Sequence, residues 1–240
     1  MFLFVDEAFW AGNHAVEGRL KSLLTEKAIT IRPLYHQAMT VPNLLHVMMA
    51  SNNDWVVPAG PQARRYQVFD VSEARMQDAG YFGRLQAELD GGGREAMLWD
   101  LLRLDLEGWH PRQIYRTAAL IEQRQHSLRG ADAVIEGWLQ DGVLPEAWPK
   151  YPNRALSKNL LAAVREQDRY ANDTQLANKL KRLFAVEPYN NQSSRGWIFP
   201  ELDECRRLWE ARHGGEWLWH RDLAEWGEKS KFNLDAPLGA

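Results

Sequence analysis

The first hundred residues alternate short apolar runs with amphipathic stretches. Phe2–Val5 is an apolar run that ends at two adjacent acids, Asp6 and Glu7, and "LLHVMMASN" is a second run that ends at Ser51 and Asn52. Apolar runs of this length are typical of buried strands, whereas amphipathic stretches with a period near 3.6 residues predict helices. The alternation therefore predicts an α/β fold in which both runs are buried strands.

A third apolar run, "YQVFDVS", is also predicted to be a strand, and helices follow it. Ser72 is expected to cap one helix over "SEARMQDAGYFGRLQAEL", and the triplet Gly91, Gly92 and Gly93 is expected to separate it from a second helix over "REAMLWDLLRLDL". A turn is expected at Pro111, and helical connectors then lead to the proline-rich stretch "LPEAWPKYPNR".

The part that follows this stretch is smaller and more basic. The segment "DTQLANKLKRLF" predicts a helix capped by Asp173 or Thr174, with an apolar face formed by Leu176, Leu180 and Phe184. The segment "AVEPYNNQSSRGWIFP" predicts two short strands joined by a polar turn. A helix followed by such a hairpin suggests a winged helix-turn-helix, in which the helix contacts DNA.

Composition and charge narrow the classes of protein. The chain has 240 residues, 45% hydrophobic content and a formal net charge of -3, so it can bury a core, and nucleic-acid binding would have to come from local basic patches. Cys205 is the single cysteine, which excludes a disulfide framework and a thiolate zinc site and fits a reducing compartment. The apolar start is too short for a membrane span and lacks a cleavage site, so we expect a cytoplasmic protein with no membrane partner.

The polar residues at the ends of the first two strands suggest nucleotide hydrolysis. A strand that ends in Asp-Glu has the form of a Walker B segment, in which Asp6 holds Mg²⁺ through its waters and Glu7 polarises the attacking water. Asn52 is placed where an amide could orient that water. The plainer explanations are that the acids merely solvate a strand end and that the polar residues after the second strand form a turn.

Two arginines complete the set of groups that phosphoryl transfer requires. Arg64 and Arg65 lie on a Gly/Pro loop just before the third apolar run, where they could stabilise transition-state charge. Arginines on a loop also commonly form surface ion pairs. The order of acid pair, strand-end amide and loop arginines on successive strands favours the hydrolase interpretation.

In these segments the sequence resembles the superfamily 3 helicases of phage, plasmid and poxvirus primase-helicase proteins, a branch of the ring-forming AAA+ ATPases. The resemblance is strong over residues 1–72 and looser to about residue 212. "FLFVDEAF" looks like Walker B, "SNNDW" looks like motif C with Asn52 as sensor 1, and "ARRYQVFDVS" looks like the arginine-finger segment. The resemblance implies ATP and Mg²⁺ as cofactors, single-stranded DNA and a primase domain or protein as partners, a hexameric homo-oligomeric ring, and a phage or mobile element in a bacterial cell as the source.

The same resemblance implies a DNA-gripping hairpin between the first two strands. "LKSLLTEKAITIRPLYHQAMTVPN" is similar to the B′ region, which in relatives reaches into the channel of the ring. Lys21 and Arg32 then flank the hairpin, and Tyr35 and His36 lie near its tip. Relatives tend to carry a lysine there, so "LYHQ" favours stacking of Tyr35 or His36 on a base. The alternative is a core-packing tyrosine beside an ordinary exposed histidine.

One motif of the family is missing. No G-x-x-x-x-G-K-[ST] occurs in the sequence, and "DGGGREA" lacks the lysine and the preceding strand of a phosphate-binding loop. We therefore expect the C-terminal portion of a longer protein, with an incomplete AAA+ P-loop-type sheet that starts at the Walker B strand. The expected domains are a partial ATPase core (1–105), a helical connector (106–150), a winged-helix-like domain (151–213) and a Trp-rich tail (214–240).

The sequence leaves two functions open. In the first, the chain is the C-terminal part of a replicative primase-helicase that couples ATP hydrolysis to translocation on DNA when a P-loop segment is present. In the second, it is a non-catalytic DNA-binding or assembly module. Lys179, Arg182 and Arg195 are the candidate DNA contacts of the winged-helix-like domain, although any amphipathic helix presents basic residues to solvent. The tail tryptophans are expected to pack against the chain itself rather than against a partner.

Overall fold

The structure, a computed structural model, has a mixed α/β architecture with small sheets. It describes residues 2–7, 14–60, 63, 65–110, 113, 115–190 and 194–227, with side chains of 14–17 excepted. Two compact units are present: one combines Met1–Ala63 with Ile121–Ala240, and the other is Arg64–Leu120.

The first unit begins with a two-stranded parallel sheet and a hairpin. Its elements are β1 (Phe2–Val5), α1 (His14–Thr25), β2 (Ala28–Ile31), β3 (Met39–Pro42) and β4 (His46–Met49). Strand β1 pairs in parallel with β4, and β2 pairs with β3 in an antiparallel hairpin. The two strands predicted from the apolar runs are therefore present.

The prediction that β1 and β4 are buried is wrong. Phe2 is 66% exposed, Phe4 52% and Met48 56%. Parallel strands are ordinarily covered on both faces by helices, and in the described part of the chain this sheet contains two strands alone. Apolar side chains that look like a core in sequence therefore remain at the surface of this sheet.

The second unit is helical, and its start differs from the prediction. The run "YQVFDVS" forms no strand: the carbonyl of Val68 accepts a hydrogen bond from the Thr117 hydroxyl, and no neighbouring strand pairs with this segment among the described residues. Ser72 caps only a short 3₁₀ turn, Glu73–Arg75, by accepting from the Ala74 N–H (3.2 Å). The predicted helix begins later.

Two helices separated by the glycine triplet follow in this unit. Helix α2 (Ala79–Glu88) is capped by Asp78, whose Oδ1 accepts from the Tyr81 N–H at 2.8 Å. Helix α3 (Arg94–Arg103) follows a wide turn in which Gly92 has φ +108°, a conformation that favours glycine. The predicted break between two helices is confirmed. Pro111, where a turn was expected, lies outside the described residues.

The C-terminal part of the first unit has the following elements: α4 (Ala118–His126, which begins in the second unit), α5 (Ala131–Asp141), β5 (Arg154–Leu156), α6 (Ser157–Gln167), α7 (Asp173–Phe184), β6 (Glu187–Asn190), β7 (Arg195–Ile198) and α8 (Leu202–His213). Strands β5 and β6 both pair antiparallel with β7, which confirms the predicted hairpin of β6 and β7. Helix α7 is capped by Asn172, whose Oδ1 accepts from the Gln175 N–H (2.9 Å), rather than by Asp173 or Thr174.

The main hydrophobic core lies among these C-terminal elements. Trp209 and Phe184 are fully buried, and their rings stack with centroids 6.4 Å apart. Trp217 and Trp226 are also buried, and Trp226 Nε1 donates to the carbonyl of Pro200 at 2.7 Å. The expectation that the tail tryptophans pack against the chain is confirmed. Leu176, Leu180 and Phe184 are all buried, as the predicted apolar face of α7 requires.

Buried polar groups join α8 to the rest of this core. The Arg206 guanidinium donates to the carbonyl of Leu139 through Nε (3.1 Å) and Nη2 (2.9 Å), and to the carbonyl of Leu223 through Nη1 (2.8 Å). The His213 ring stacks on Trp209 with centroids 3.8 Å apart, and burial lowers the pKa of His213. For the Cys205 thiol, whose charged form is the anion, burial has the opposite effect and raises the pKa. Among the described residues, every helix falls short of the length and apolar character needed to cross a bilayer.

Candidate functional site

The predicted catalytic residues of β1 and β4 lie at one edge of the parallel sheet. The register runs from Phe2 opposite His46 to Val5 opposite Met49, and the Ala50 N–H donates to the carbonyl of Val5 at 3.0 Å. Parallel strands in register end at the same edge, so the acid pair 6–7 and the polar segment 51–52 leave the sheet side by side. The structure thus places these two segments at the same edge of the sheet.

Each of these strand ends continues into a turn closed by its own side chain. Oδ1 of Asp6 accepts from the Glu7 N–H at 3.0 Å, and Glu7 has φ +53°, which is uncommon for a residue with a side chain. Oγ of Ser51 accepts from the N–H (3.2 Å) and side-chain amide (3.0 Å) of Asn53. Asp6, Glu7 and Asn52 are all exposed. The turn-forming role that the sequence left open therefore belongs to Ser51, and the acid pair stands at the surface.

Gln123 on helix α4, which the sequence analysis missed, forms hydrogen bonds with the segment that follows Asn52. Oε1 of Gln123 accepts from the N–H groups of Val56 (2.7 Å) and Val57 (3.1 Å), and its Nε2 donates to the carbonyl of Asp54 (2.6 Å). Gln123 is buried. The side-chain amide of Gln123 thus holds in place the backbone that follows Asn52. No local pattern marks Gln123, because its partners lie 66 to 69 residues away.

The arginines are positioned differently. Arg65 is exposed at the beginning of the second unit. Arg64 lies outside the described residues. Their proposed action on a neighbouring subunit concerns an assembly, so it stays a prediction.

The hairpin predicted between the first two strands is present as β2 and β3, and its contact with DNA stays a prediction. Tyr35 is fully exposed at its tip (101%) and has φ +64°, and Arg32 and His36 are exposed in the same loop. These values exclude the alternative that Tyr35 packs in the core. A left-handed conformation at a tyrosine is costly and is typically retained at functional sites. Lys21 lies on α1 and is half-buried.

Asn43, a second residue that the sequence analysis missed, anchors the base of this hairpin. Its Nδ2 donates to the carbonyls of Leu23 (2.8 Å) and Glu26 (2.9 Å), and its Oδ1 accepts from the Leu45 N–H (3.1 Å). These bonds join the C-terminal end of α1 to the strand that leaves the hairpin. The position of Asn43 directly after the predicted strand "MTVP" is the one sequence feature that could have pointed to it.

The three candidate DNA contacts of the C-terminal part are not equally available. Nζ of Lys179 forms an ion pair with Oδ1 of Asp132 at 2.7 Å, so this lysine connects α7 to α5. Arg182 on α7 and Arg195 at the start of β7 are exposed. Lys181, an exposed residue of the same helix, lies 5.2 Å from the ring centroid of Trp197.

Comparison with known proteins gives a partial family match and a likeness of fold. Residues 1–65 match a family of unknown function, DUF5906. No curated protein matches the chain.

Two of the solved structures with a similar fold are of the same region of one protein. The apo structure of the NrS-1 C terminal region (305–718) aligns with a TM-score of 0.54 and 12% sequence identity, covering 83% of this chain and 55% of that one. The A form apo structure of the same region aligns with a TM-score of 0.47 and 12% identity, covering 83% and 54%. The chain thus spans about half the length of the NrS-1 region whose fold it resembles.

Proposed function

We propose that the chain is the C-terminal part of a replicative primase-helicase, in which ATP hydrolysis drives translocation on DNA when a P-loop segment is present. The observation that carries the proposal is the parallel register of β1 and β4, which puts Asp6, Glu7 and Asn52 at one sheet edge. The likeness of fold to the NrS-1 C terminal region is compatible with this proposal.

In this proposal the sheet edge handles the γ-phosphate. Mg²⁺ prefers carboxylate oxygens, water and substrate phosphates, so Asp6 is the residue that would hold it together with ATP. Glu7 then accepts a proton from the attacking water, Asn52 orients that water, and Arg64 or Arg65 stabilises the transition state in a neighbouring subunit of a hexameric ring.

Two further regions would bind DNA. At the hairpin tip, Tyr35 and His36 stack on bases of single-stranded DNA while Lys21 and Arg32 contact its backbone. The exposed position and unusual backbone of Tyr35 support this role.

The order α5, β5, α6, α7, β6, β7, with β5 and β6 flanking β7, supports a winged helix, in which α7 is the recognition helix. Arg182 and Arg195 are its exposed candidate contacts, and Lys179 contributes through its ion pair with Asp132 by keeping α7 in place.

The test joins a P-loop strand and helix of a superfamily 3 relative ahead of Phe2 and measures Mg²⁺-dependent ATP hydrolysis. The chain alone is expected to show no appreciable turnover, because the lysine and loop amides that hold the phosphates are missing. In the joined protein, Glu7→Gln should lower the rate by roughly a hundredfold or more. Glu73→Gln, which neutralises an exposed acid of the second unit, should not. Full activity of Glu7→Gln would show that this edge is not catalytic.

A mixing experiment tests the arginines. A joined protein with Arg64→Ala and Arg65→Ala keeps its acid pair, and a Glu7→Gln protein keeps its arginines, so mixed rings contain some complete sites. A trans-acting arginine is worth on the order of a thousandfold in rate. ATP hydrolysis should therefore peak at intermediate mixing ratios. A flat rate from proteins that demonstrably co-assemble would favour surface ion pairs instead.

The second candidate function is a non-catalytic DNA-binding or assembly module. It is favoured by the missing P-loop motif and by the position of "DGGGREA", which connects α2 to α3 and follows no strand. In this case the joined protein binds DNA but hydrolyses no ATP, and Glu7→Gln changes neither property.

A further inference from the structure

A group of aromatic and basic side chains lies on the small sheet formed by β5, β7 and β6, outside the sites described above. The group, called here the aromatic-basic cluster, consists of Trp148, Lys150, Tyr151, Arg154 and Tyr189. Arg154 Cζ lies 4.2 Å from the ring centroid of Tyr151 and 5.7 Å from that of Tyr189. The Tyr189 ring meets the Trp148 ring edge to face at 5.3 Å, and Lys150 Nζ lies 5.7 Å from the Tyr151 centroid.

The sheet register places this cluster on the face away from the core. Arg154 pairs with Ile198, and Gly196 pairs with Tyr189, so Arg154 and Tyr189 share one face because side chains alternate along a strand. Ala155, on the opposite face, is buried in the core. A tight turn projects the remaining residues over the outer face, since the Tyr151 N–H donates to the carbonyl of Trp148 at 2.8 Å.

The cluster has exposed outer residues above half-buried inner ones, which is the arrangement that a binding surface requires. Lys150 is exposed and Tyr151 is 39% exposed, while Trp148, Arg154 and Tyr189 are half-buried. The inner rings and the guanidinium hold one another in place, so the outer tyrosine and lysine are presented on a rigid base. Four of the five residues lie in the stretch "WPKYPNR", whose prolines predict a break in the chain, and Tyr189 comes from β6.

We infer that the aromatic-basic cluster is a binding site for single-stranded nucleic acid, with Tyr151 stacking on a base and Lys150 and Arg154 pairing with the flanking phosphates. Aromatic rings interleaved with cations are the usual means of binding unpaired strands without sequence readout. Bases of a duplex are stacked on one another and unavailable to Tyr151, so the site selects single strands. This inference rests on the proposed DNA function, and it adds a surface distinct from both α7 and the β2–β3 hairpin.

The test measures fluorescence anisotropy of a labelled oligothymidylate with the full chain. Tyr151→Ala should weaken binding about tenfold, because one stacked base is lost, and Tyr151→Phe should bind like the wild type. Lys150→Ala should weaken binding less and reduce the salt slope by about 1. Glu187→Gln removes an acid from the same sheet face and should strengthen binding.

The matched control is Tyr170→Ala. Tyr170 is 76% exposed, and its ring contacts the Arg169 guanidinium, whose Cζ lies 4.6 Å from the ring centroid. Among the described residues, Arg169 is the one cation found over this ring. Its replacement should leave affinity unchanged. Circular dichroism and thermal melting check that each variant is folded, and photocrosslinking with 5-iodouracil in the oligonucleotide should label Tyr151.

Several results would overturn the inference. The inference fails if Tyr151→Ala binds as tightly as the wild type, or if Tyr170→Ala weakens binding as much as Tyr151→Ala does. It also fails if the chain binds duplex as tightly as single strands, or if crosslinks form only in other segments. Stronger competition by an acidic peptide than by oligothymidylate would likewise overturn it. If the wild-type chain binds no DNA of any kind, the proposed DNA function fails as well. If it binds DNA but the cluster variants do not differ from it, the inference alone fails.

Discussion

Replacing Gln123 with alanine should destabilise the first unit by about 2 to 3 kcal/mol, since each buried polar group left unpaired costs about 1 to 3 kcal/mol. Three backbone groups lose their hydrogen-bond partner, but the cost differs because some of them can bond to water instead. Val57 is 3% exposed, so its N–H cannot turn to water, whereas Asp54 is exposed and its carbonyl can be solvated. Most of the loss is therefore assigned to the two valine amides, and the better helix propensity of alanine offsets only a few tenths of a kcal/mol.

The assay is urea unfolding followed by tryptophan fluorescence, together with hydrogen exchange of the Val56 and Val57 amides. In the wild type both amides should be protected, and in Gln123→Ala they should exchange faster even without denaturant. Glu122→Ala is the matched control, because Glu122 is the exposed neighbour on the same helix. If Gln123→Ala unfolds at the same urea concentration as Glu122→Ala and both valine amides stay protected, the side chain does not hold the segment.

Three further predictions concern the core around α8. Arg206→Lys should cost about 3 kcal/mol in urea unfolding, because an ammonium cannot bond to both carbonyls that the planar guanidinium reaches; an unchanged midpoint would show that those bonds are dispensable. The wild type should lose stability as the pH falls below 6.5, since unfolded His213 binds a proton that the buried ring resists, and His213→Phe should lose less over the same range. Cys205 should react with a thiol reagent only as fast as the protein unfolds, because the buried group stays a thiol; rapid labelling of the native chain would contradict its burial.

Features encoded within one segment could be predicted from the sequence. The strand before the acids, the glycine break between α2 and α3 and the apolar face of α7 all follow from local patterns, whereas the hairpin of β2 and β3 was expected from the resemblance to a known family. The sheet edge that carries the acid pair was also predictable in part, because two parallel strands in register bring their ends together regardless of the rest of the fold.

Features that depend on a distant partner could not be predicted. The exposure of Phe2 and Phe4 depends on how many strands the sheet contains, which an apolar run does not encode. The run "YQVFDVS" has strand propensity but no pairing strand, so it stays irregular in the described structure. Gln123 is an ordinary polar residue in its own helix, and only the three-dimensional contact reveals its role.

The discontinuity of the first unit has a consequence for synthesis on the ribosome. Val56 and Val57 emerge 66 to 67 residues before Gln123, which at about 5 to 20 residues per second is a wait of roughly 3 to 13 seconds. During that time the second unit is translated, while the segment after Asn52 lacks the side chain that fixes it. In nascent chains of this length the buried N–H of Val57 would thus lack its partner, and residues 54–57 would reach their final form only after helix α4 has left the exit tunnel.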